Sequence, residues 1–268
     1  MHPVSLLTHL IAGLFILIVP ARIEGTNPPP IAAWQSQNSA QRPREIDSEV
    51  ALLSAQLKSS DVEERRNAVM ILSHLDGDSA TSALVSALND KSPAVRALVL
   101  AGLGERSDNA IVSLVVARLS SDKDRFVRKA AAYALGHFRG QERTAALIAA
   151  LMDKDQEVRG AAAVSLGDHA DAAAVAPLAL SLSSKSAFVR AQAARALGVN
   201  GQRASQAVPA LIRLLDEDSD AEVKRQTATA LGLIGDPAAF PALERASHDS
   251  DSYLVQAARD SIRLIQGK

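Results

Sequence analysis

Cysteine is absent from the 268 residues, which removes disulfides, thiolate metal sites and a cysteine nucleophile together. Aromatic residues are nearly as scarce. One Trp, two Tyr and five Phe make up 3% of a chain that is 47% hydrophobic. A core must therefore be filled by Ala, Leu and Val, whose small side chains let helices approach closely and suit a helical stack better than one thick globule. Neither sign of charge dominates: Lys and Arg number 29, Asp and Glu 30, for a net charge of −1. Nucleic-acid binding driven by a clustered basic excess is not expected. The sequence also has no phosphate-cradling glycine loop, no Gly-x-Ser-x-Gly elbow and no Ser/His/Asp grouping.

The first 21 residues contain no Asp, Glu, Lys or Arg. Their apolar run, Leu10 to Val19, falls short of the roughly 20 residues a bilayer-spanning helix takes. It has the length of a signal-peptide core, and Val19-Pro20-Ala21 offers a small-residue cleavage site. Residues 1–21 read as a signal peptide, with an uncleaved N-terminal anchor as the alternative, although no Lys or Arg precedes the run and Arg22 comes directly after it. The implied localisation is extracytoplasmic, periplasmic or secreted, with a membrane-anchored form as the alternative. Residues 22–43 form a Pro/Asn/Gln-rich linker whose triple proline, Pro28 to Pro30, favours extended geometry over helix. Trp34 reads as an isolated aromatic in that tether, or one folded onto the chain beyond residue 44, with a docking anchor for a partner as the alternative.

From about Arg44 to the C-terminus one sentence recurs, as in "DRFVRKAAAYALGHF" at 124–138 and "DQEVRGAAAVSLGDH" at 155–169. Anchored on the residue after the recurrent valine, the copies fall at Arg65, Arg96, Arg128, Arg159, Arg190, Lys224 and Val255, with steps of 31, 32, 31, 31, 34 and 31. A fixed period in this range marks a solenoid of stacked supersecondary units. Four residues before each anchor stands an Asp or Ser, from Asp61 to Asp251, suited to cap a helix N-terminus. Offsets −1, +3 and +7 carry Val, Ala and Leu on one helical face, the buried stripe of a second helix, B. Apolar-periodic stretches between these, such as "IVSLVVARLS", supply a first helix, A. Glycines 77, 140, 201 and 235 fit left-handed caps after helix B. Glycines 104, 136, 167, 198 and 232, one residue after the stripe leucine, mark places where a neighbouring helix comes too close for a side chain. The 34-residue step carries extra residues in "VNGQRAS" and "DEDSDAE", where a kink or protruding loop is expected.

The pattern Asp-x-x-x-Val-Arg-x-x-Ala-x-x-Ala-Leu-Gly resembles the bacterial HEAT-like repeats, the subclass shared with phycobilin lyases and deoxyhypusine hydroxylase. The resemblance implies an all-α fold, a right-handed α-solenoid (superhelix) of about seven helix-turn-helix repeats over residues 44–268. It implies that helices B line the concave side and that the Asp and Arg positions pair in charge ladders between repeats. It also brings in an enzymatic alternative, an oxidoreductase or lyase. That alternative is disfavoured because the hydroxylase holds its metal with His-Glu pairs directly after the anchor, and no His-Glu dipeptide occurs in this chain.

The exposed face of helices B, near offsets +1 or +2, +5 and +9, supplies the candidate partner-binding residues Met70, His74, Leu98, Glu105, Tyr133, His137, Val164, Asp168, Arg195 and Arg225. The row His74, Glu105, His137, Asp168 alone suggests a metal, but stacked helices stand about 8–10 Å apart, whereas zinc needs every ligand at about 2 Å. No catalytic, cofactor or metal residue is assigned. The expectation is a non-catalytic scaffold that binds a peptide or protein on its concave B-helix face.

Overall fold

The computed structural model of the chain describes residues 46–106 and 108–267. The signal segment, the linker and Trp34 lie outside the described residues. Within them the chain forms helices in alternating pairs. These are α1 (46–56) with α2 (Val62–His74), α3 (Asp78–Ala87) with α4 (Pro93–Arg106), and α5 (Val112–Ser121) with α6 (Arg125–Gly136). They continue as α7 (Gln141–Ala150) with α8 (Gln156–Leu166), α9 (Ala172–Ser181) with α10 (Ala187–Val199), α11 (Val208–Glu217) with α12 (Ala221–Ile234), and α13 (Phe240–Ala246) with α14 (Ser252–Gln266). No strand occurs among the described residues. The even-numbered helices are the B helices, and each packs on the next, α2 on α4 through to α12 on α14. The fold is an all-α solenoid of seven helical pairs.

Local chemistry sets these boundaries. Asp61, Asp124, Asp155, Asp220 and Asp251 each accept a first-turn N–H through the side chain, satisfying donors that a helix start leaves free. Ser186 stands at the same position without such a bond. Helices α3, α7 and α9 begin a turn or so before their apolar pattern does, because Gly77, Gly140 and Asp171 place their N-termini. Gly77 and Gly140, with φ of 104° and 107°, therefore open the next helix A and do not close helix B. Of the four glycines expected as left-handed caps, Gly235 ends its helix so, at φ 74° and ψ 25°, and Gly201, at φ 55°, follows the C-cap residue Asn200 of α10. The expected protrusion in "VNGQRAS" is also corrected: Gly201–Ala207 is a 3-10 helix that buries Ala204 and Ala207 and packs against α9, α10, α11 and α12.

The interior is the stripe. Positions −1, +3 and +7 are buried in every B helix except at the two ends, where Glu64 is exposed and Ile262 half-buried. Close approach is what the glycines permit. A Cβ on Gly104, Gly167 or Gly198 would stand 3.0, 3.2 or 2.9 Å from the Cα of Ala134, Ala196 or Ala230 in the next B helix. Gly136 meets Ser165, and Gly232 meets Ser261, in the same way. All five contacts join offset +8 of one repeat to offset +6 of the next.

A ladder of ion pairs runs along the turns between A and B. Arg65, Arg96, Arg128 and Arg190 each place Nε at 2.6–2.8 Å from a carboxylate of the next repeat, on Asp90, Asp122, Asp153 and Asp218 respectively. Nη2 of each donates to the second carboxylate oxygen at 2.8–3.1 Å. Nη1 turns back to a carbonyl of its own turn, on Ser59, Asp90, Asp122 or Ser184. Each of these aspartates also accepts the N–H two residues on, at 2.8–3.0 Å. Turn shape and repeat-to-repeat pairing are thus fixed by one carboxylate.

Candidate functional site

Between α4 and α6, on the exposed side of the B helices, lies a groove of about 460 Å³. Its geometry comes from the repeat grammar. Gly104 against Ala134 brings the two helices close at their C-terminal ends. Ala97 and Ala101 form part of the lining of α4, while Phe126 and Tyr133 line the groove from α6. Those two aromatic rings are 53% and 41% exposed in a chain that has few aromatics to spare. Polar groups complete the lining: Glu105, Lys129 and His137. Arg125 lies 4.9 Å and Lys129 5.5 Å from the Phe126 ring centroid, and these cations also pair with Asp155 and Glu157 at 3.3 Å. Burial alone would push the Asp155 carboxyl up. The N–H groups of Glu157 and Val158 and the Arg125 guanidinium outweigh it and hold the group below its ordinary range.

Three of the residues expected to bind a partner, Glu105, Tyr133 and His137, are thereby brought together. The remainder stand elsewhere on the B-helix face. Met70 and His74 are exposed on α2, with His74 Nδ1 2.8 Å from the Met70 carbonyl. Asp168 is exposed, whereas Leu98 and Val164 are half-buried, and Leu98 packs against the core. Arg195 donates to Gln192 and to the Val164 carbonyl at 3.2 Å. Arg225 is held by Glu222 and Asp251. Among the described residues no three His, Asp or Glu side chains converge as a metal ion requires.

Phe126 and Lys129 are not among the residues expected from the sequence. The signal for Phe126 is there: offset −2 is Glu or Ala in four repeats but aromatic in three, at Phe126, Phe188 and Tyr253. Phe188 packs over Gly160 of the preceding repeat, and the Tyr253 ring lies 5.8 Å from the Arg225 guanidinium. Offset −2 thus meets offset +1 of the repeat before, which is how Phe126 comes to flank Ala97 in the groove.

No curated protein matches the sequence. A family model described as HEAT repeats matches residues 50–136, 112–198 and 175–263. Among solved structures, YibA of Escherichia coli is similar at 23% identity, covering 82% of this chain and 82% of that one, with a TM-score of 0.63. The CpcE–CpcF complex of phycocyanin lyase from a Nostoc species is similar at 22% identity over 81% of this chain and 94% of that one, TM-score 0.51. Human deoxyhypusine hydroxylase in complex with glycerol is similar at 20% identity, with 84% and 99% coverage and a TM-score of 0.42. For the first two of these the likeness, at such identities, is one of fold.

Proposed function

The chain belongs to the HEAT repeat family, and from that premise we propose that it is an exported, non-catalytic scaffold that seats a protein or peptide partner on its B-helix face. One observation carries this reading: the groove between α4 and α6 sets two exposed aromatic rings, Phe126 and Tyr133, beside the small side chains of Ala97 and Ala101. Aromatic anchors with polar groups close by are the arrangement from which protein interfaces draw most of their binding energy. The apolar segment Leu10–Val19 and the small-residue site ending at Ala21 support export.

The test is capture from the native extracytoplasmic fraction, with the full chain and its Phe126→Ala and Tyr133→Ala variants as baits. The partner retained by the parent is lost from both variants, whose unfolding free energies stay within about 0.5 kcal/mol of the parent because the exposed ring atoms carry little of the core. Equal capture by all three baits removes the groove from consideration. The mass of the chain recovered from that fraction corresponds to a mature N-terminus at Arg22, and an intact Met1 would count against export.

A further inference from the structure

The charge ladder has a gap. Arg159 holds the same position as Arg65, Arg96, Arg128 and Arg190, and its Nη1 donates in the same way to the Asp153 carbonyl at 2.8 Å and the Lys154 carbonyl at 3.2 Å. The carboxylate that should meet its Nε and Nη2 is missing, because Ser184 stands where the other repeats have Asp90, Asp122, Asp153 and Asp218. Ser184 keeps the turn, its Oγ accepting the Ser186 N–H at 3.3 Å, but supplies no charge. Arg159 is half-buried and lines a cleft of about 490 Å³ between repeats four and five.

A second, independent feature marks the same cleft. Its sides carry Met152 and Leu180, 83% and 77% exposed. Seven residues before the anchor the other six repeats have Lys58, Asn89, Ser121, Ser183, Glu217 and His248, so Met152 is the one apolar residue at this position. The turns that bound the cleft also carry Lys154 and Lys185, both exposed. Asp153 does not fill the gap, since its carboxylate is taken by Arg128 and the Asp155 N–H.

We propose that this cleft binds an acidic side chain of a partner polypeptide, whose carboxylate completes the ladder on Arg159 while flanking apolar residues rest on Met152 and Leu180. The recognition geometry is the protein's own. Four other rungs show a carboxylate held side-on by Nε and Nη2 at 2.6–3.1 Å, the two-point match that makes arginine selective for planar anions. Nη1 already fixes the guanidinium, so little side-chain freedom is lost when the ligand arrives. The site lies on the turn edge, apart from the groove between α4 and α6, and does not rest on the reading of that groove.

The experiment monitors the Nε–H resonance of Arg159 in the isotope-labelled full chain, assigned by its loss in Arg159→Lys. The probes are N-acetyl-Leu-Asp-Leu-amide, the same peptide with Asn for Asp, and acetate. The aspartyl peptide shifts the resonance saturably, and the asparaginyl peptide and acetate each bind at least about tenfold more weakly. Ser184→Asp, which supplies the missing carboxylate from within the chain, abolishes the response to peptide. Equal binding of the two peptides overturns the proposal, as does acetate saturating as tightly as the aspartyl peptide, which would make the cleft a site for free carboxylates. Undiminished peptide binding by Ser184→Asp overturns it as well.

Discussion

At the scale of single residues, the ladder shows why an ion pair can be structurally decisive without being a large net source of stability. Arg96 and Asp122 have side chains only 14% and 3% exposed, so their desolvation offsets much of their attraction. Removing one partner is different, because it strands the other. Asp122→Ser tests this cleanly, since it rebuilds at the second joint the arrangement that Arg159 and Ser184 show at the fourth, with the turn hydrogen bond still available. The expected loss is about 3 kcal/mol at neutral pH by urea denaturation. Acid then removes the difference. Burial by itself would raise the Asp122 carboxyl, but the Arg96 guanidinium and the Asp124 N–H outweigh it, and the group stays below its ordinary value of 3.8. A depressed carboxyl gives stability that is complete above the ordinary value and is lost as the pH falls beneath it. The gap between parent and variant is therefore constant from neutral pH to about pH 5 and closes below pH 3.8. A gap that persists in acid would mean that the turn, and not the ion pair, is what the substitution damages.

Among helices, the controlling fact is that each pair of neighbouring B helices tolerates a single small side chain where they come closest. Later joints put glycine at offset +8 and alanine or serine at +6. The first joint reverses the assignment, with Ser73 at +8 and Gly102 at +6, and a Cβ on Gly102 would stand 2.8 Å from the Cβ of Ser73. Gly102→Ala is expected to cost about 1–3 kcal/mol through overpacking. Ser73→Gly alone costs about 0.5 kcal/mol in helix propensity. The double variant restores the pattern of the joints further along and recovers most of the loss, a coupling that a double-mutant cycle measures directly; additive losses would show that the contact is not the cause. The glycines at +8 were legible in the sequence because their spacing repeats. Gly102 was not, because a glycine at +6 occurs once and only its facing serine explains it. The buried stripe was legible for the same reason as the five. The starts of α3 and α7 were not, because a polar first turn leaves no apolar period, nor was that of α9, whose opening run Ala172, Ala173 and Ala174 marks no face. The groove was half legible: Tyr133, Glu105 and His137 sit on the predicted face, whereas Phe126 enters from the first turn of its helix.

For the solenoid as a whole, each repeat touches only its neighbours, so stability is the sum of repeat terms and joint terms. The hydrophobic stack is continuous across every joint, and at the fourth Gly167 still admits Ala196, a Cβ there standing 3.2 Å from the Ala196 Cα against 3.0 and 2.9 Å at the second and fifth. The ladder is not continuous. Four joints have a two-point arginine–aspartate rung, and at the last one Arg225 reaches Asp251 at 2.7 Å. The joint between repeats four and five has no rung, and its half-buried Arg159 is left without a carboxylate. In a one-dimensional assembly the joint with the smallest coupling term is where cooperativity divides. Hydrogen exchange in moderate urea is accordingly expected to resolve two blocks of amides, one through α8 and the other from α9 onward, opening at different denaturant concentrations. Ser184→Asp supplies the rung and merges the blocks into one transition at higher urea. A boundary that falls elsewhere, or one that Ser184→Asp leaves unchanged, would show that joint strength tracks helix packing alone and that the ladder fixes register without setting cooperativity.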